Sequence, residues 1–165
     1  FVHDVDGFVA YSLSVHNRRK SRVGYALENH LEALFEEQGV LYARGATTEN
    51  RSKPDFLFPA ADAYHDPRYP DEKLTMLGVK TTCKDRWRQV LNEAQRVPAK
   101  HLLTLERAIS SQQTAEMAAS GLTLVVPEPL HSSYSHRQRN WLMSLDDFLQ
   151  LVKNRQRAYS TSRLI

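Results

Sequence analysis

Val23, Leu27, Leu31 and Leu34 recur at helical spacing, which predicts a helix over residues 21–38 ended by Gly39. Short apolar runs then predict strands at 40–43, 56–58 and 74–80. Residues 44–53 are polar and loop-like, and 59–73 carry Pro59, Pro67 and Pro70, so both read as excursions from the sheet. Trp87, Leu91 and Ala94 form the apolar stripe of a predicted helix over 85–96. A buried strand follows at 102–105. Ser110 then caps a helix reaching residue 120, with Gly121 as its stop. An apolar strand at 122–126 ends at Pro127. Ser144-Leu145-Asp146-Asp147 has the form of an N-cap with first-turn acids and opens a last helix through about residue 153. The polar residues beyond it are expected to fray. The order α-β-β-β-α-β-α-β-α predicts an α/β protein, a mixed β-sheet flanked by helices on both faces.

Composition narrows the class only modestly. The 165 residues suffice for a single domain, 1–165, with its core over about 18–153. The chain begins with Phe1 and not Met, so it is expected to be an excised domain of a longer chain. No apolar run is long enough to span a membrane, and nothing reads as a signal peptide. Cys83 is the one cysteine, so no intrachain disulfide can form, which fits a reducing, cytoplasmic setting. The net charge of +3 leans mildly towards polyanions. Its distribution says more: Arg18, Arg19, Lys20 and Arg22 form one basic cluster, and Lys80, Lys84, Arg86 and Arg88 form a second. Either alone could be a solvated face; together they favour DNA.

The chemistry centres on Lys53-Pro54-Asp55-Phe56-Leu57-Phe58 and Leu77-Gly78-Val79-Lys80. A carboxylate enters one predicted strand and a lysine ends the next, which would bring Asp55 and Lys80 to the same end of the sheet. Hydrolysis of a phosphodiester needs a nucleophilic water, stabilised charge on the phosphoryl oxygens and help for the leaving oxygen. Mg²⁺, held by a few carboxylates plus water and substrate oxygens, supplies most of this. Asp55 is the first candidate ligand. The usual second acid lies two residues before the lysine, and here that position is Gly78. Glu93, expected on the helix after Lys80, is the candidate replacement; the alternative is an ordinary solvated glutamate. Lys80 would orient or deprotonate the attacking water, or neutralise the transition state. Glu28 is a further candidate acid from the first helix, and Tyr64 a candidate hydrogen-bonding group near the site. Both have plain surface or packing alternatives. His30, His65, His101, His131 and His136 show no metal-ligand spacing, and a lone cysteine cannot build a zinc cage.

Lys84-Asp85-Arg86-Trp87-Arg88-Gln89 follows directly on the candidate lysine. Arg can pair with guanine O6 and N7, and Asp can accept from cytosine N4, so an Asp-Arg pair suits the reading of C·G pairs. The alternative is a helix start with Asp85 as its cap and Arg86 solvated. Arg18, Arg19, Lys20 and Arg22 are candidate phosphate contacts, or base readers if their segment reaches a groove.

These residues carry a resemblance. The chain resembles the catalytic domain of the EcoRII-type restriction endonucleases over about residues 18–153. The carrying segments are Asn17-Arg18-Arg19-Lys20-Ser21-Arg22, Lys53-Pro54-Asp55-Phe56, Leu74-Thr75-Met76-Leu77-Gly78-Val79-Lys80 and Cys83-Lys84-Asp85-Arg86-Trp87-Arg88-Gln89-Val90. His101-Leu102-Leu103-Thr104-Leu105-Glu106 and Leu124-Val125-Val126-Pro127 add to them. The resemblance implies a restriction-endonuclease-like core, Mg²⁺-dependent cutting of double-stranded DNA close to CCWGG (W being A or T), and a homodimer. It also implies an acid displaced onto the helix after the lysine, which fits Gly78 and Glu93. Enzymes of this type can carry an upstream effector DNA-binding domain, and some extrude the central base pair. Two rival readings remain open: a modification-dependent or repair nuclease on the same core, and a DNA-binding module that has lost catalysis.

Overall fold

The computed structural model describes residues 5, 7, 9, 10 and 23–164; for 23–25, 158 and 160–164 it describes the backbone alone. The basic cluster Arg18, Arg19, Lys20 and Arg22 therefore lies outside the described residues.

Helix α1 spans Val23–Glu37. It ends where expected, because Gly39 adopts a left-handed φ of 71° that a side chain would strain. Strands β1 (Ala43–Arg44), β2 (Phe56–Phe58), β3 (Thr75–Val79), β4 (Lys100–Leu103) and β5 (Leu122–Val125) form one sheet in the order β1-β2-β3-β4-β5. The pairs β1–β2 and β2–β3 are antiparallel, while β3–β4 and β4–β5 are parallel. The sheet is thus mixed, as the element order implied.

Side-chain alternation separates its two faces. Phe56 and Phe58 share one face with His101 across the registers Phe56↔Leu77, Phe58↔Thr75 and His101↔Thr123. On that side Phe35 of α1 meets Phe56 and Phe58 edge-on at 5.1 and 5.3 Å. Phe148, from helix α5 (Leu145–Leu164), lies 5.6 Å from Phe58. Gly78, Lys100 and Leu102 belong to the opposite face. It is covered by a 3₁₀ turn, Trp87–Asn92, and by helix α3 (Ser111–Ala119), which an Arg88–Glu116 ion pair ties together. Helices cover both faces of an apolar sheet in which every residue of β2, β3 and β4 is buried.

Several elements depart from their sequence-based bounds. The strand expected at 40–43 shrinks to Ala43–Arg44, since the Leu41 N–H and C=O pair instead with the Gln156 side chain at 2.7 and 3.0 Å. That contact belongs to α5, which continues well past residue 153. Arg155 donates to the Leu74 carbonyl and to Thr75 Oγ1, so the expected fraying does not start there. A short helix α4 (His136–Trp141) was not expected, although Ser135 and Gln138 form its capping box. Within 59–73 lie helix α2 (Ala61–His65) and a 3₁₀ turn at Asp71–Lys73. The Arg96 guanidinium donates to the carbonyls of Tyr64, Asp66 and Tyr69 and pairs with Asp71, holding this excursion against the segment after the 3₁₀ turn.

The largest departure concerns 85–96. No α-helix forms there; the 3₁₀ turn stops at Asn92, and Glu93 is extended at φ −90° and ψ 149°. Tertiary partners outcompete the helix. The N–H groups of Ala94, Gln95 and Arg96 are taken by Thr48 Oγ1, Glu49 Oε1 and the Tyr64 hydroxyl. Ala94 sits at φ 48°, which no helix allows.

Candidate active site

Two short strands set the geometry. Asp55 directly precedes β2, and the register Phe56↔Leu77 places it opposite Gly78. Gly78 offers no side chain to obstruct the crossing, and the Asp55 carboxylate reaches over to accept the Val79 N–H at 2.7 Å. Lys80 ends β3 immediately beyond, its own N–H fixed to the Leu103 carbonyl at 3.0 Å. The expected meeting of Asp55 and Lys80 at one sheet end is what the fold produces.

Glu93 arrives from the opposite side of that end. Its carboxylate is partly buried, and its Oε1 is fully buried without a hydrogen-bond partner among the described residues. Burial pushes its pKa up to about 7, the Asp55 charge adds to the rise, and Lys80 and Lys100 oppose it. Burial likewise raises the Asp55 pKa, against the Val79 hydrogen bond and the charges of Lys80 and Arg44. Glu28 of α1 belongs to the same electrostatic neighbourhood: burial raises its pKa, Asp55 raises it further, and Arg44 and Lys80 lower it. Asp55, Lys80, Glu93 and Glu28 are thus brought together. Glu28 is also committed elsewhere, since its carboxylate lies 3.7 Å from the Arg44 guanidinium, which pairs in turn with Glu32 at 2.7 Å.

Tyr64 stands apart from the acids. Its hydroxyl donates to Glu49 Oε1 at 2.5 Å and accepts the Arg96 N–H at 3.1 Å, so it belongs to the wall behind Glu93. The expectation that Glu93 rides the helix after Lys80 is corrected by the extended backbone at Glu93.

Gly78 leaves no room for an acid at its own position. A Cβ at this position would lie 3.1 Å from Val90 Cγ2 and 3.2 Å from Leu102 Cδ1. The segment that delivers Glu93 fills the space in which an acid at 78 would stand.

Among the described residues, no three His, Cys, Asp or Glu side chains form a ready metal cage. Two carboxylates are nevertheless enough protein donors for Mg²⁺, which keeps several waters and takes substrate phosphate oxygens. The orphaned Glu93 oxygen fits a cation: bound between Glu93 and Asp55, it would satisfy that atom, offset the desolvation that raises both pKa values and offset the Asp55 charge that adds to the rise at Glu93.

A model of the family described as EcoRII C terminal matches residues 1–149. The chain belongs to the EcoRII C-terminal family. The type II restriction enzyme EcoRII of Escherichia coli is 55% identical over 146 residues, 88% of this chain and 36% of that protein. The chain therefore spans little more than a third of that relative's length. Among solved structures, metal-depleted Ecl18kI in complex with uncleaved, modified DNA superposes with a TM-score of 0.71 at 22% identity, covering 90% of this chain and 50% of that one. The complex of restriction endonuclease PspGI with substrate DNA gives 0.65 at 17% identity, covering 86% and 66%. At these identities the likeness concerns the fold, which is the restriction-endonuclease core.

In this member of the EcoRII C-terminal family the basic segment after Lys80 divides into two kinds of residue. Asp85 and Arg86 are exposed, and their side chains have no partner among the described residues. Lys84 lies 3.7 Å from Glu106 and Arg88 is 2.5 Å from Glu116, with its guanidinium over the Trp87 ring at 4.3 Å. Asp85 does not cap the turn, because the residue before Trp87 is Arg86 and no side chain caps it. Lys100, Thr48, Glu49 and Arg44 escaped the sequence reading. Lys100 was invisible because a lysine beside an apolar run reads as a strand's solvated edge, whereas here it is 4% exposed.

Proposed function

We propose that this chain is the catalytic domain of a type II restriction endonuclease that cuts double-stranded DNA at a CCWGG-like site with Mg²⁺ and works as a homodimer. The observation that carries the reading is the convergence of Asp55, Lys80 and the orphaned Glu93 carboxylate on one sheet end. Family membership supports it, and so do the DNA complexes of Ecl18kI and PspGI. Asp55 and Glu93 would hold the cation. When bound, it supplies positive charge to the phosphoryl oxygens and makes a water acidic enough to attack. Asp55 is held rigid for this task by the Val79 N–H. Lys80 carries an ammonium at the strand end, where it orients the water or neutralises charge developing on phosphorus.

Asp85 and Arg86, free and exposed, are the proposed readers of a C·G pair, with Lys84 and Arg88 as phosphate contacts beside them. Arg18, Arg19, Lys20 and Arg22 are proposed as a second phosphate-contacting cluster. A palindromic target cut on both strands calls for two copies about a two-fold axis, since one protomer offers one Asp-Arg pair and one active site. An upstream effector DNA-binding domain in a longer chain is part of the same reading.

The test is cleavage of plasmid DNA in Mg²⁺ followed by sequencing of the ends. Ends mapping to CCWGG-like sites on unmethylated DNA are expected. Cutting confined to methylated DNA would make the protein a modification-dependent nuclease, and binding without any cutting would leave a DNA-binding module.

A further inference from the structure

An acid carried on a sheet strand is positioned by the ladder hydrogen bonds around it. Glu93 has no such support, because the stretch from Glu93 to Val97 is neither strand nor helix. Its backbone polar groups are held nonetheless, by the side chain of Lys100 just downstream and by three side chains from a distant part of the chain. Lys100 Nζ donates to the carbonyls of Glu93, Ala94 and Val97 at 2.5, 2.9 and 2.6 Å. An ammonium has three protons, and all three are used here. On the other side, the N–H groups of Ala94, Gln95 and Arg96 go to Thr48 Oγ1, Glu49 Oε1 and Tyr64 Oη at 3.3, 3.2 and 3.1 Å. Glu49 is itself held by the Tyr64 hydroxyl. The Glu93 N–H returns to the Val90 carbonyl at 3.1 Å, so this residue is pinned at both its backbone nitrogen and its oxygen.

We propose that Lys100 is a positioning residue for Glu93, and that with Thr48, Glu49 and Tyr64 it forms a two-sided clamp on the 93–97 segment that fixes where the displaced carboxylate stands. Burying a lysine is expensive, and burial lowers the pKa of Lys100 while Glu93 and Glu49 oppose the fall. A methionine or leucine would fill the space at lower desolvation cost but would leave the Glu93 and Val97 carbonyls without this donor and the Ala94 carbonyl with the Val97 N–H alone, so the segment would be freer to shift. Ala94, in its left-handed conformation, is the residue where such a shift would begin, since an alanine holds φ 48° only when its surroundings enforce it.

The inference rests on Glu93 being a metal ligand, and the experiment separates the two. Lys100→Met, Tyr64→Phe and Glu93→Ala are compared with the unmodified protein. For each, Mn²⁺ binding is followed by paramagnetic resonance, cleavage is titrated with Mg²⁺, and thermal unfolding is recorded without metal. Lys100→Met should weaken Mn²⁺ binding and raise the half-saturating Mg²⁺ concentration by about 10-fold or more, the usual effect of losing a group that orients a ligand. Tyr64→Phe, which keeps the packing, should move both in the same direction even if Lys100→Met fails to fold. If Glu93→Ala abolishes Mn²⁺ binding while folded Lys100→Met and Tyr64→Phe bind it normally, the clamp is a structural feature only and the inference fails. If Glu93→Ala binds Mn²⁺ and cuts normally, the reading of Glu93 as a ligand fails first.

Discussion

Val90 occupies the place that a side chain at Gly78 would need: a Cβ there would approach its two methyl carbons to 3.1 and 3.4 Å. The absence of a side chain at 78 and the position of Glu93 are therefore two ends of one packing solution. The turn that crosses the sheet over Gly78 is the turn that carries Glu93. Restoring an acid at 78 should not restore the site. In a Glu93→Ala background, Gly78→Asp should recover no cleavage. Gly78→Asp alone should lower stability by about 1–3 kcal/mol, the range for overpacking a core. Urea unfolding and a plasmid assay on the single and double variants check this. Recovered cleavage would show that the turn can yield.

Asp55→Ala should abolish cleavage while leaving DNA binding in Ca²⁺ intact. It should also cost about 1–3 kcal/mol of stability, because the Val79 N–H loses its acceptor at 2.7 Å. Lys80→Ala should be equally inactive with a smaller effect on stability, since its backbone N–H still bonds Leu103. Cleavage near the unmodified rate by either variant would remove it from the active site.

Glu93→Gln should separate activity from stability. The carboxylate has an unpaired buried oxygen and a pKa pushed up to about 7, both signs of a group held in an unfavourable place. A neutral amide of the same shape relieves the repulsion from Asp55 but is a poor Mg²⁺ ligand. The variant should be inactive, and at pH 8 without metal it should unfold at a higher temperature than the unmodified protein, a stability–function trade-off. An inactive variant with lowered stability would instead mark Glu93 as a structural residue.

The parts of this site carried by strands were legible in the sequence, and the parts carried by irregular backbone were not. Asp55 and Lys80 follow from two short, continuously buried runs, since each charged residue flanks one of them. Glu93 was reachable as a residue but not as a conformation. Its segment has an apolar stripe at Trp87, Leu91 and Ala94 that mimics a helix. Three of the partners that unwind it, Thr48, Glu49 and Tyr64, lie 32 to 46 positions from the groups they bind, and the fourth, Lys100, reaches back 3 to 7 positions from the following strand. Local pattern cannot see such partners. Helix α4 is the opposite case: Ser135 and Gln138 advertise a capping box, and the signal was simply there to be used.

Within the recognition segment, exposure assigns different weights to residues the sequence treats alike. Arg86 is exposed with no side-chain partner among the described residues, whereas Arg88 is paired with Glu116 and laid over Trp87. Arg86→Ala should therefore cost roughly 1–3 kcal/mol of discrimination at one base position, the worth of a bidentate contact. Arg88→Ala should weaken binding to all sequences alike, less steeply, since its guanidinium must leave Glu116 to reach a phosphate. Binding over single-base variants of CCWGG at two salt concentrations decides. Uniform weakening by Arg86→Ala would make it a phosphate contact.

The last prediction concerns a histidine far from the chemistry. His101 on β4 is 4% exposed, its ring is 5.4 Å from Phe148, and its Nδ1 has no partner. Burial pushes its pKa down to about 4, and the charge of Arg155 adds to the fall. The unfolded chain takes up a proton near pH 6.5, its ordinary value, whereas the folded protein does so only near pH 4. Between those limits the unfolded state binds more protons, so folding stability falls as the pH falls. The full loss is at most about 3 kcal/mol at 1.4 kcal/mol per pH unit. Carboxylates with raised pKa values, Glu93 among them, push the other way over part of this window, so the unmodified protein alone would give an ambiguous slope. His101→Leu resolves it. Urea unfolding at pH 5, 6 and 7.5 should show a stability difference between His101→Leu and the unmodified protein that shifts in the variant's favour as the pH drops. A difference constant over that range would mean that His101 takes up its proton at the same pH in the folded and unfolded protein, so that burial does not depress it.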